Sequence, residues 1–377
     1  MNIFSGETAN WSFIITFAMI INQETMINQS IHRTELSDLG EFGLIHHLTK
    51  GIINMNPETL FGVGDDAAVV KNGDELMLVS TDLLVEGVHF DLSYYPLQHL
   101  GYKAAVVNFS DIAAMNGTPK QITVGLAMSN RFSVEAIEEI YLGILTACRH
   151  YGVDLVGGDT SSSEKGLFLS ITVLGETNHD EITYRSTAKE GDLICVTGDL
   201  GGAYTGLLLL EREKTVFRSD PTMQPDLEGH DYILERQLKP EARTEYRQIF
   251  KDNEIRPSSM IDISDGLASE SLHLCLSSGL GCAIYEDKIP IDVVTETVIK
   301  EFNIDPTTAA LNGGEDYELL FTVAQTEFEK VRRIPGVSII GHMTDKSVGC
   351  NLITRSGQSI SLNAQGWDAF RKVIEET

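Results

Sequence analysis

The sequence is poor in basic residues, with 28 lysines and arginines against 55 aspartates and glutamates and a formal net charge of -27 at pH 7. A chain this acidic repels the phosphate backbone of nucleic acids and anionic membrane surfaces, so we expect neither as a partner. If the substrates are nucleotides, which are anions themselves, cations must lie between substrate and protein. Surplus carboxylates can hold divalent cations, and the charge balance is compatible with that role.

The sequence also lacks paired cysteine motifs, because none of its five cysteines forms a CxxC pair. An odd number of scattered cysteines predicts reduced thiols, mostly in the core, and a cytoplasmic protein. His273 lies close to Cys275, but two ligands without further partners do not indicate a zinc site. The cysteines are Cys148, Cys195, Cys275, Cys282 and Cys350.

Lysine and arginine are absent before Arg33, although the segment from Trp11 to Ile21 is apolar. This run is shorter than the about 20 residues that span a bilayer. The charged start and the small-residue cleavage site of a secretory signal are missing as well. We therefore predict that residues 1–32 are a disordered extension, with Met26 as a candidate for the true start. A signal peptide or membrane anchor is the alternative.

Familiar nucleotide-binding motifs are missing too. No GxxxxGK[ST] loop and no HRD or DFG pair occurs, which excludes P-loop and protein-kinase folds. The turn Gly198-Asp199-Leu200-Gly201-Gly202 follows an apolar strand and precedes a helical run, so its amides could hold a phosphate. A plain strand-to-helix turn explains these residues equally well.

What is present is the pattern of a globular α/β (mixed α+β) protein of 377 residues, with short apolar strands alternating with amphipathic helices. We predict one helix from Ser133 to about Arg149, stopped by Gly152, and another from Gly266 to near Gly279. The polar segment Arg212 to Glu228 is interpreted as a loop. Strands are predicted at 76–79, 122–128, 167–174 and 193–196. The predicted domains are 33–177 and 178–377, after the 1–32 extension.

Aspartates recur where strands or helices meet glycine, serine or threonine. A single Asp-Gly is usually only a turn, because aspartate bonds its own backbone and glycine accepts positive φ. The set is harder to explain in this way, since several of these carboxylates adjoin apolar residues typical of a core, where an unpaired charge is costly. Oxygen ligands without histidine or cysteine favour magnesium over zinc. The aspartates that carry this argument are Asp66, Asp82, Asp111 and Asp159.

In order along the chain, seven segments resemble the thiamine-monophosphate kinase family, a branch of the aminoimidazole-ribonucleotide-synthetase-like ATP-binding enzymes. The resemblance covers roughly Leu36 to Phe370. The segments are GVGDDAAVV, STDLLVEGVHF, VNFSDIAAMNGTP, GGDTSSS, TYRSTAKEGDLICVTGDLG, IDISDGLASE and NGGEDYELLFT. GEDYEL and SDIAAM best separate this branch from its relatives. The sequence departs from the family pattern at Asn116-Gly117-Thr118 and at Asp199.

The resemblance implies a two-domain aminoimidazole-ribonucleotide-synthetase-like fold and a role for each matching residue. Several Mg²⁺ ions would be held around the phosphates of ATP by Asp66, Ser80, Thr81, Asp82, Asp111, Asp159, Asp262 and Asp265, with Asp65 nearby. The nucleotide would contact Gly158, Arg185 and Ser264. Thiamine monophosphate would contact His89, Glu315 and Trp367. Without the resemblance, a structural histidine at His89, a packing role for Trp367 and a surface ion pair at Arg185 would be the simpler interpretations.

The implied reaction transfers the γ-phosphoryl group of ATP to thiamine monophosphate in an in-line displacement, with no catalytic base because the acceptor oxygen is already ionised. The resemblance also implies a homodimer formed through the N-terminal domain. The alternatives are sister enzymes acting on formylglycinamidine ribonucleotide, selenide or a carbamoyl group, and a non-catalytic module that binds nucleotide or metal. No cysteine precedes Cys148, which argues against the selenide enzymes. The chain ends at Thr377, whereas a hydrogenase-maturation protein should end in cysteine.

Overall fold

The structure is a computed structural model that describes residues 34–365. The predictions for residues 1–32 and for Trp367 lie outside this range. Contacts divide the chain into two units, of which one comprises residues 51–367. The described part of the other is helix α1, Leu36–Thr49, which is interrupted at Gly40 and buries none of its side chains. No helix within residues 34–365 is long and apolar enough to cross a membrane.

The first sheet of the larger unit has six strands in the order β1-β2-β3-β6-β4-β5. All neighbours are antiparallel except β4 and β5, which are parallel. Alternate residues of β6 are buried, so one face of the sheet covers the core. The strands are β1 (Thr59–Phe61), β2 (Ala68–Asn72), β3 (Glu75–Val85), β4 (Thr118–Met128), β5 (Asp154–Ser162) and β6 (Phe168–Thr177).

The second sheet has seven strands in the order β13-β12-β9-β11-β7-β10-β8. Its one parallel pair among these strands joins β9 to β12. Strands β7, β8 and β10 are almost fully buried and consist mainly of apolar residues, as expected for strands covered on both faces. The strands are β7 (Leu193–Thr197), β8 (Ser259–Asp262), β9 (Gly281–Tyr285), β10 (Leu319–Val323), β11 (Val337–Thr344), β12 (Cys350–Ile353) and β13 (Ser359–Ser361).

Helices cover both sheets. They are α2 (Leu97–Ala114), α3 (Val134–Tyr151), α4 (Gly202–Ser219), α5 (Asp231–Leu238), α6 (Tyr246–Asp252), α7 (Leu267–Ser278), α8 (Val293–Glu301), α9 (Pro306–Asn312) and α10 (Phe328–Val331). Short 3₁₀ turns occupy Glu286–Lys288, Gln325–Glu327 and Lys346–Val348. Helices α2 and α3 cross closely because both carry glycine at the crossing. A Cβ on Gly101 would lie 1.9 Å from the Ile140 carbonyl oxygen.

Helix α2 connects the two sheets and thereby positions the candidate site. Most of its length packs in the core of the six-stranded sheet, with Leu100 and Phe109 fully buried. Its last turn, at Ala113 and Ala114, joins a different core with Phe321 of β10. Residues just before that turn therefore lie where the cores of the two sheets meet.

Most predicted elements are confirmed. Ser133 caps α3 by accepting a hydrogen bond from the Ala136 amide at 3.3 Å, and Gly152 ends the helix at φ 70°. Helix α7 likewise ends at Gly279. The four predicted strands correspond to β3, β4, β6 and β7.

The loop predicted from Arg212 to Glu228 is partly wrong, because α4 continues to Ser219. Apart from Glu213, which is buried, the polar residues from Arg212 to Ser219 are half-buried or exposed on an amphipathic helix that buries Leu209 and Leu210. Strands of the first sheet end at Thr177 and those of the second begin at Leu193. The proposed domain boundary between 177 and 178 stays a prediction.

Candidate active site

Three aspartates from separate parts of the chain converge in the larger unit. Asp66 lies in the loop between β1 and β2, Asp111 in the last turns of α2, and Asp262 at the end of β8. One carboxylate oxygen from each lies within 4.8 Å of the other two. Of the four aspartates that carried the argument from the sequence, Asp66 and Asp111 belong to this group, and Asp262 joins it from the set that the family resemblance implied.

Serine hydroxyls hold two of these carboxylates in place. Ser80 of β3 donates a hydrogen bond to Asp111 Oδ2 at 2.5 Å. Ser110 donates one to Asp262 Oδ2 at 2.5 Å and so ties α2 to β8. These bonds orient the carboxylates but bring no positive charge to them.

The carboxylates of the cluster repel one another. Burial raises the pKa of Asp66 well above its ordinary value, although Arg185 opposes the rise, and the Asp262 carboxylate adds to it. Burial likewise raises the pKa of Asp111, to which Asp82 and Asp262 contribute by repulsion. The pKa of Asp82 rises to about 6 through burial and then through Asp262. A nearby cation would favour the ionised form of each of these carboxyl groups.

Arg185 supplies part of that compensation. Its guanidinium contacts Asp66 and lies 3.3 Å from Asp65 Oδ1, while its backbone amide donates to Asp65 Oδ2 at 3.1 Å. The side chain is largely buried, which excludes the surface ion pair considered from the sequence. Ser259 fixes the Arg185 carbonyl with a 2.9 Å hydrogen bond.

A pocket beside the cluster is lined by residues that the resemblance assigned to Mg²⁺, to ATP and to thiamine monophosphate. Its walls comprise Asp82, Leu83, Leu84, His89, Lys103, Val107, Asp111, Asp262, Ser264, Glu315 and Tyr317. His89 Nδ1 accepts a 3.0 Å hydrogen bond from the Val85 amide, so in the neutral ring the proton belongs on Nε2. His89 therefore has both a local structural contact and a position in the pocket wall.

Sequence reasoning missed Lys103, which is 2% exposed and faces this pocket from α2. Its ammonium lies 2.9 Å from Glu315 Oε1 and donates to the Gln237 carbonyl at 3.1 Å. Gln237 also donates to Glu315, at 2.8 Å. The available signal was a single lysine inside an otherwise largely apolar helix, where a lysine needs a partner. Asn108 was missed as well, although its side chain accepts a hydrogen bond from the Asp82 amide.

The other acids of GEDYEL have structural partners. Asp316 accepts hydrogen bonds from the Gly201 and Ala203 amides at the start of α4. The phosphate site considered for this turn is not supported for these two amides, because the Asp316 carboxylate already provides the anion there. Gly198 has φ 56°, and a Cβ there would lie 2.2 Å from Glu318 Oε1, so the turn needs glycine for packing.

Several predicted residues lie apart from the pocket wall. Asp159 and Gly158 are exposed on strand β5, and a Cβ on Gly158 would lie 2.1 Å from the Val124 carbonyl oxygen. Thr81 of β3 donates to the Ile171 carbonyl at 3.1 Å. Asp265 follows Ser264 in the loop before α7, and its amide donates to Glu270. The assignments of these residues to metal or nucleotide stay predictions.

The cluster of Asp66, Asp111 and Asp262 fits a hard cation such as Mg²⁺. Its ligands are all oxygens, as this ion prefers. Asp66 Oδ2 is buried and has no hydrogen-bond partner among the described residues, although a buried carboxylate oxygen normally has one. A buried carboxylate oxygen without a hydrogen-bond partner is compatible with a role as a metal ligand.

Comparisons with known proteins agree with this geometry. Residues 64–177 match the family model described as AIR synthase related protein, N-terminal domain. Over 341 residues the chain is 33% identical to thiamine-monophosphate kinase of Bacillus subtilis, which covers 88% of this chain and 100% of that protein. The chain belongs to the thiamine-monophosphate kinase family. Its members are enzymes, and the mixed α/β fold with two sheets is that of the AIR-synthase-related proteins.

Two further comparisons extend this family membership. The thiamine-monophosphate kinase of Aquifex aeolicus is 34% identical over 81% of this chain and 96% of its own length. A solved structure described as AaThiL complexed with AMPPCP and TMP superposes with a TM-score of 0.78 at 31% identity, covering 90% of this chain and 100% of that one. The similarity therefore extends through both sheets.

Proposed function

We propose that this protein transfers the γ-phosphoryl group of ATP to the phosphate of thiamine monophosphate, giving thiamine diphosphate and ADP. The observation that carries the proposal is the pocket in which Asp82, Asp111 and Asp262 lie beside His89 and Glu315. It combines a cation-binding set of oxygens with groups that can contact a second ligand. The names of the related proteins supply the identity of that ligand.

The reaction needs positioning and charge compensation more than proton transfer. A phosphate oxygen of thiamine monophosphate attacks the γ-phosphorus, a new P–O bond forms, and the bond to the β,γ-bridging oxygen breaks, leaving on ADP. The acceptor oxygen is ionised at neutral pH, so no residue is assigned as a base. When bound, Mg²⁺ would compensate phosphate charge and favour in-line alignment.

The residues of the chain act by holding ligands in place. We propose that Asp66, Asp111 and Asp262 bind the metal, together with Ser80, Thr81, Asp82, Asp159 and Asp265. Ser80 and Ser110 keep two of the carboxylates oriented. Arg185 and Ser264 would contact nucleotide phosphates, along with Gly158. His89 and Glu315 would contact the thiamine moiety, and so would Trp367.

We also propose a cytoplasmic homodimer. Strand β5 is one of the two edge strands of the first sheet, and Val156 on it is 57% exposed. Exposed edge strands are places where another chain can pair. Light scattering on the purified chain tests the dimer, and a monomeric mass at micromolar concentration would refute it.

The deciding experiment measures ADP release with ATP while thiamine monophosphate and thiamine are offered separately, with and without Mg²⁺. Chromatography identifies the thiamine products. We expect thiamine diphosphate only from the monophosphate and only with the divalent metal. A folded protein that binds ATP but yields no thiamine diphosphate would refute the substrate assignment and direct attention to the sister reactions.

A further inference from the structure

Three of the five cysteines meet at one point beside the second sheet. Cys275 lies on α7, Cys282 on β9 and Cys350 on β12. Their Sγ atoms all lie within 4.8 Å of one another, and all three are free thiols. No sequence motif indicated this group, because the sequence contains no CxxC pair.

The sheet register accounts for the convergence. Cys282 and Cys350 are direct partners in the parallel pair of β9 and β12. Met343 of β11 is the partner of Cys282 on its other side. Partners in a ladder project from the same face of a sheet, so three sulfur-containing side chains form a row across three strands. Helix α7 packs on this face, where Cys275 and Cys282 share one core with Met343.

We infer that Cys275, Cys282 and Cys350 form a binding site for a thiophilic metal ion, of which Zn²⁺ is one example. Zinc binds thiolate sulfur at about 2.3 Å, which sets two sulfurs on one ion about 4 Å apart. Because the Sγ atoms lie within 4.8 Å of one another, they need to move by about 1 Å at most to reach that spacing. Met343 offers a thioether in the same row, and thiolate with thioether is a soft ligand set.

Alternative roles explain less of the geometry. A disulfide would use two of the cysteines and leave the third buried beside it, whereas a metal uses all three. Isolated buried cysteines act as small apolar residues, which suits Cys148 and Cys195. Cys350 is only partly buried and gives an ion a route from solvent. The site differs from the aspartate cluster in ligand chemistry, because sulfur selects soft ions and carboxylate selects hard ones.

Such an ion would fasten α7 to the sheet. The helix begins directly after the loop that carries Ser264 and Asp265, so its anchoring supports one wall of the proposed active site. Binding to the folded state alone would stabilise it by an amount that rises with the ratio of metal concentration to dissociation constant.

The test is a titration of the reduced, metal-free full chain with Cd²⁺, a spectroscopic probe for thiolate sites, in excess Mg²⁺ to occupy the carboxylates. A thiolate-to-metal charge-transfer band in the ultraviolet should grow and saturate at a single ion per chain. Zn²⁺ should displace Cd²⁺ and abolish the band. The band should also be lost in Cys350→Ala, the variant that disturbs the core least because Cys350 is partly exposed, and in Cys282→Ala.

Cys148→Ala and Cys195→Ala are matched controls, since they remove buried thiols outside the group. Both should retain the band and its saturation point. The inference is overturned if the wild-type chain shows no saturable band, or if the band persists in Cys350→Ala and Cys282→Ala. It is also overturned if a control variant that melts at the wild-type temperature loses the band. None of these outcomes depends on kinase activity, so a failed substrate assignment would leave the test intact.

Discussion

Replacing Glu318 by glutamine removes a charge on which two arginines depend. The carboxylate is fully buried, lies 2.8 Å from Arg236 Nη1, and accepts hydrogen bonds from Arg243 Nε and Thr197 Oγ1 at 2.6 Å each. Burial alone would raise its pKa, yet the hydrogen bond from Arg243 and the charge of Arg236 hold the pKa below its ordinary value. Glu318→Gln should therefore remove the carboxylate charge that Arg243 contacts, and leave Arg236 with the longer contact to Asp316, at 3.5 Å.

Removal of one partner from a buried ion pair costs about 3–5 kcal/mol of unfolding free energy. Unfolding entropy of about 2.1 cal/mol/K per residue, over about 330 residues, gives ~0.7 kcal/mol/K. The apparent melting temperature should then fall by about 4–7 °C, measured by circular dichroism at pH 7. Because the folded pKa is lowered, the stabilisation exists above the unfolded pKa and disappears as the pH falls through the folded value. The difference between variant and wild type should narrow in that acidic range.

Glu329→Gln is the matched control. Glu329 also contacts two arginines, with Arg332 Nε at 2.8 Å and Arg333 Nη2 at 3.6 Å, but its side chain is 59% exposed. Exposed pairs contribute about 0–1 kcal/mol, so this variant should melt within about 1.5 °C of the wild type. Equal melting temperatures for the two variants would refute the reasoning, since burial would then make no difference to the charge.

Further predictions concern turnover, substrate binding and stability. Asp66→Asn and Asp111→Asn should each lower kcat at least about 100-fold while the circular dichroism spectrum is retained, because a metal ligand is lost; wild-type turnover in a folded variant would exclude that role. His89→Ala should raise KM for thiamine monophosphate and leave KM for ATP unchanged, and unchanged kinetics would make His89 purely structural. Lys103→Met should lower the unfolding free energy by about 1–3 kcal/mol, measured in urea, because Glu315 loses a charged partner; unaltered stability would contradict this. A chelator should abolish activity and Mg²⁺ should restore it, and activity that survives chelation would contradict the metal proposal.

Local signals predicted the regular elements well because they depend on neighbouring residues only. Helix α3 begins after the N-cap Ser133 and ends at Gly152, which has a left-handed backbone conformation. Both are short-range features. The strand order could not be predicted, because pairing such as β4 beside β5 depends on long-range packing. The polar stretch after Arg212 was misinterpreted because a helix with one exposed face resembles a loop in composition.

For the site, the sequence identified many of the acids but not their partners. Asp66 and Asp111 were selected because they adjoin apolar residues, Asp262 followed from the family resemblance, and the structure brings the three together. Lys103 was overlooked because its ion pair is formed with Glu315, more than 200 residues further along the chain. The proximity of Cys275, Cys282 and Cys350 was missed for a related reason. It arises from strand register and helix packing, and not from sequence spacing.

The kind of partner separates the buried acids that fasten the fold from those that suit a ligand. Glu318 is neutralised by arginines and needs nothing from outside the chain. Asp111 and Asp262 receive hydrogen bonds from serine hydroxyls, which fix the direction of a carboxylate but leave its charge in place. In a buried site an uncompensated charge is costly, so the binding of a cation there stabilises the folded chain. A phosphate-rich substrate accompanied by Mg²⁺ would satisfy that need, and the proposed function would then be compatible with a chain of charge -27 that binds two polyanions.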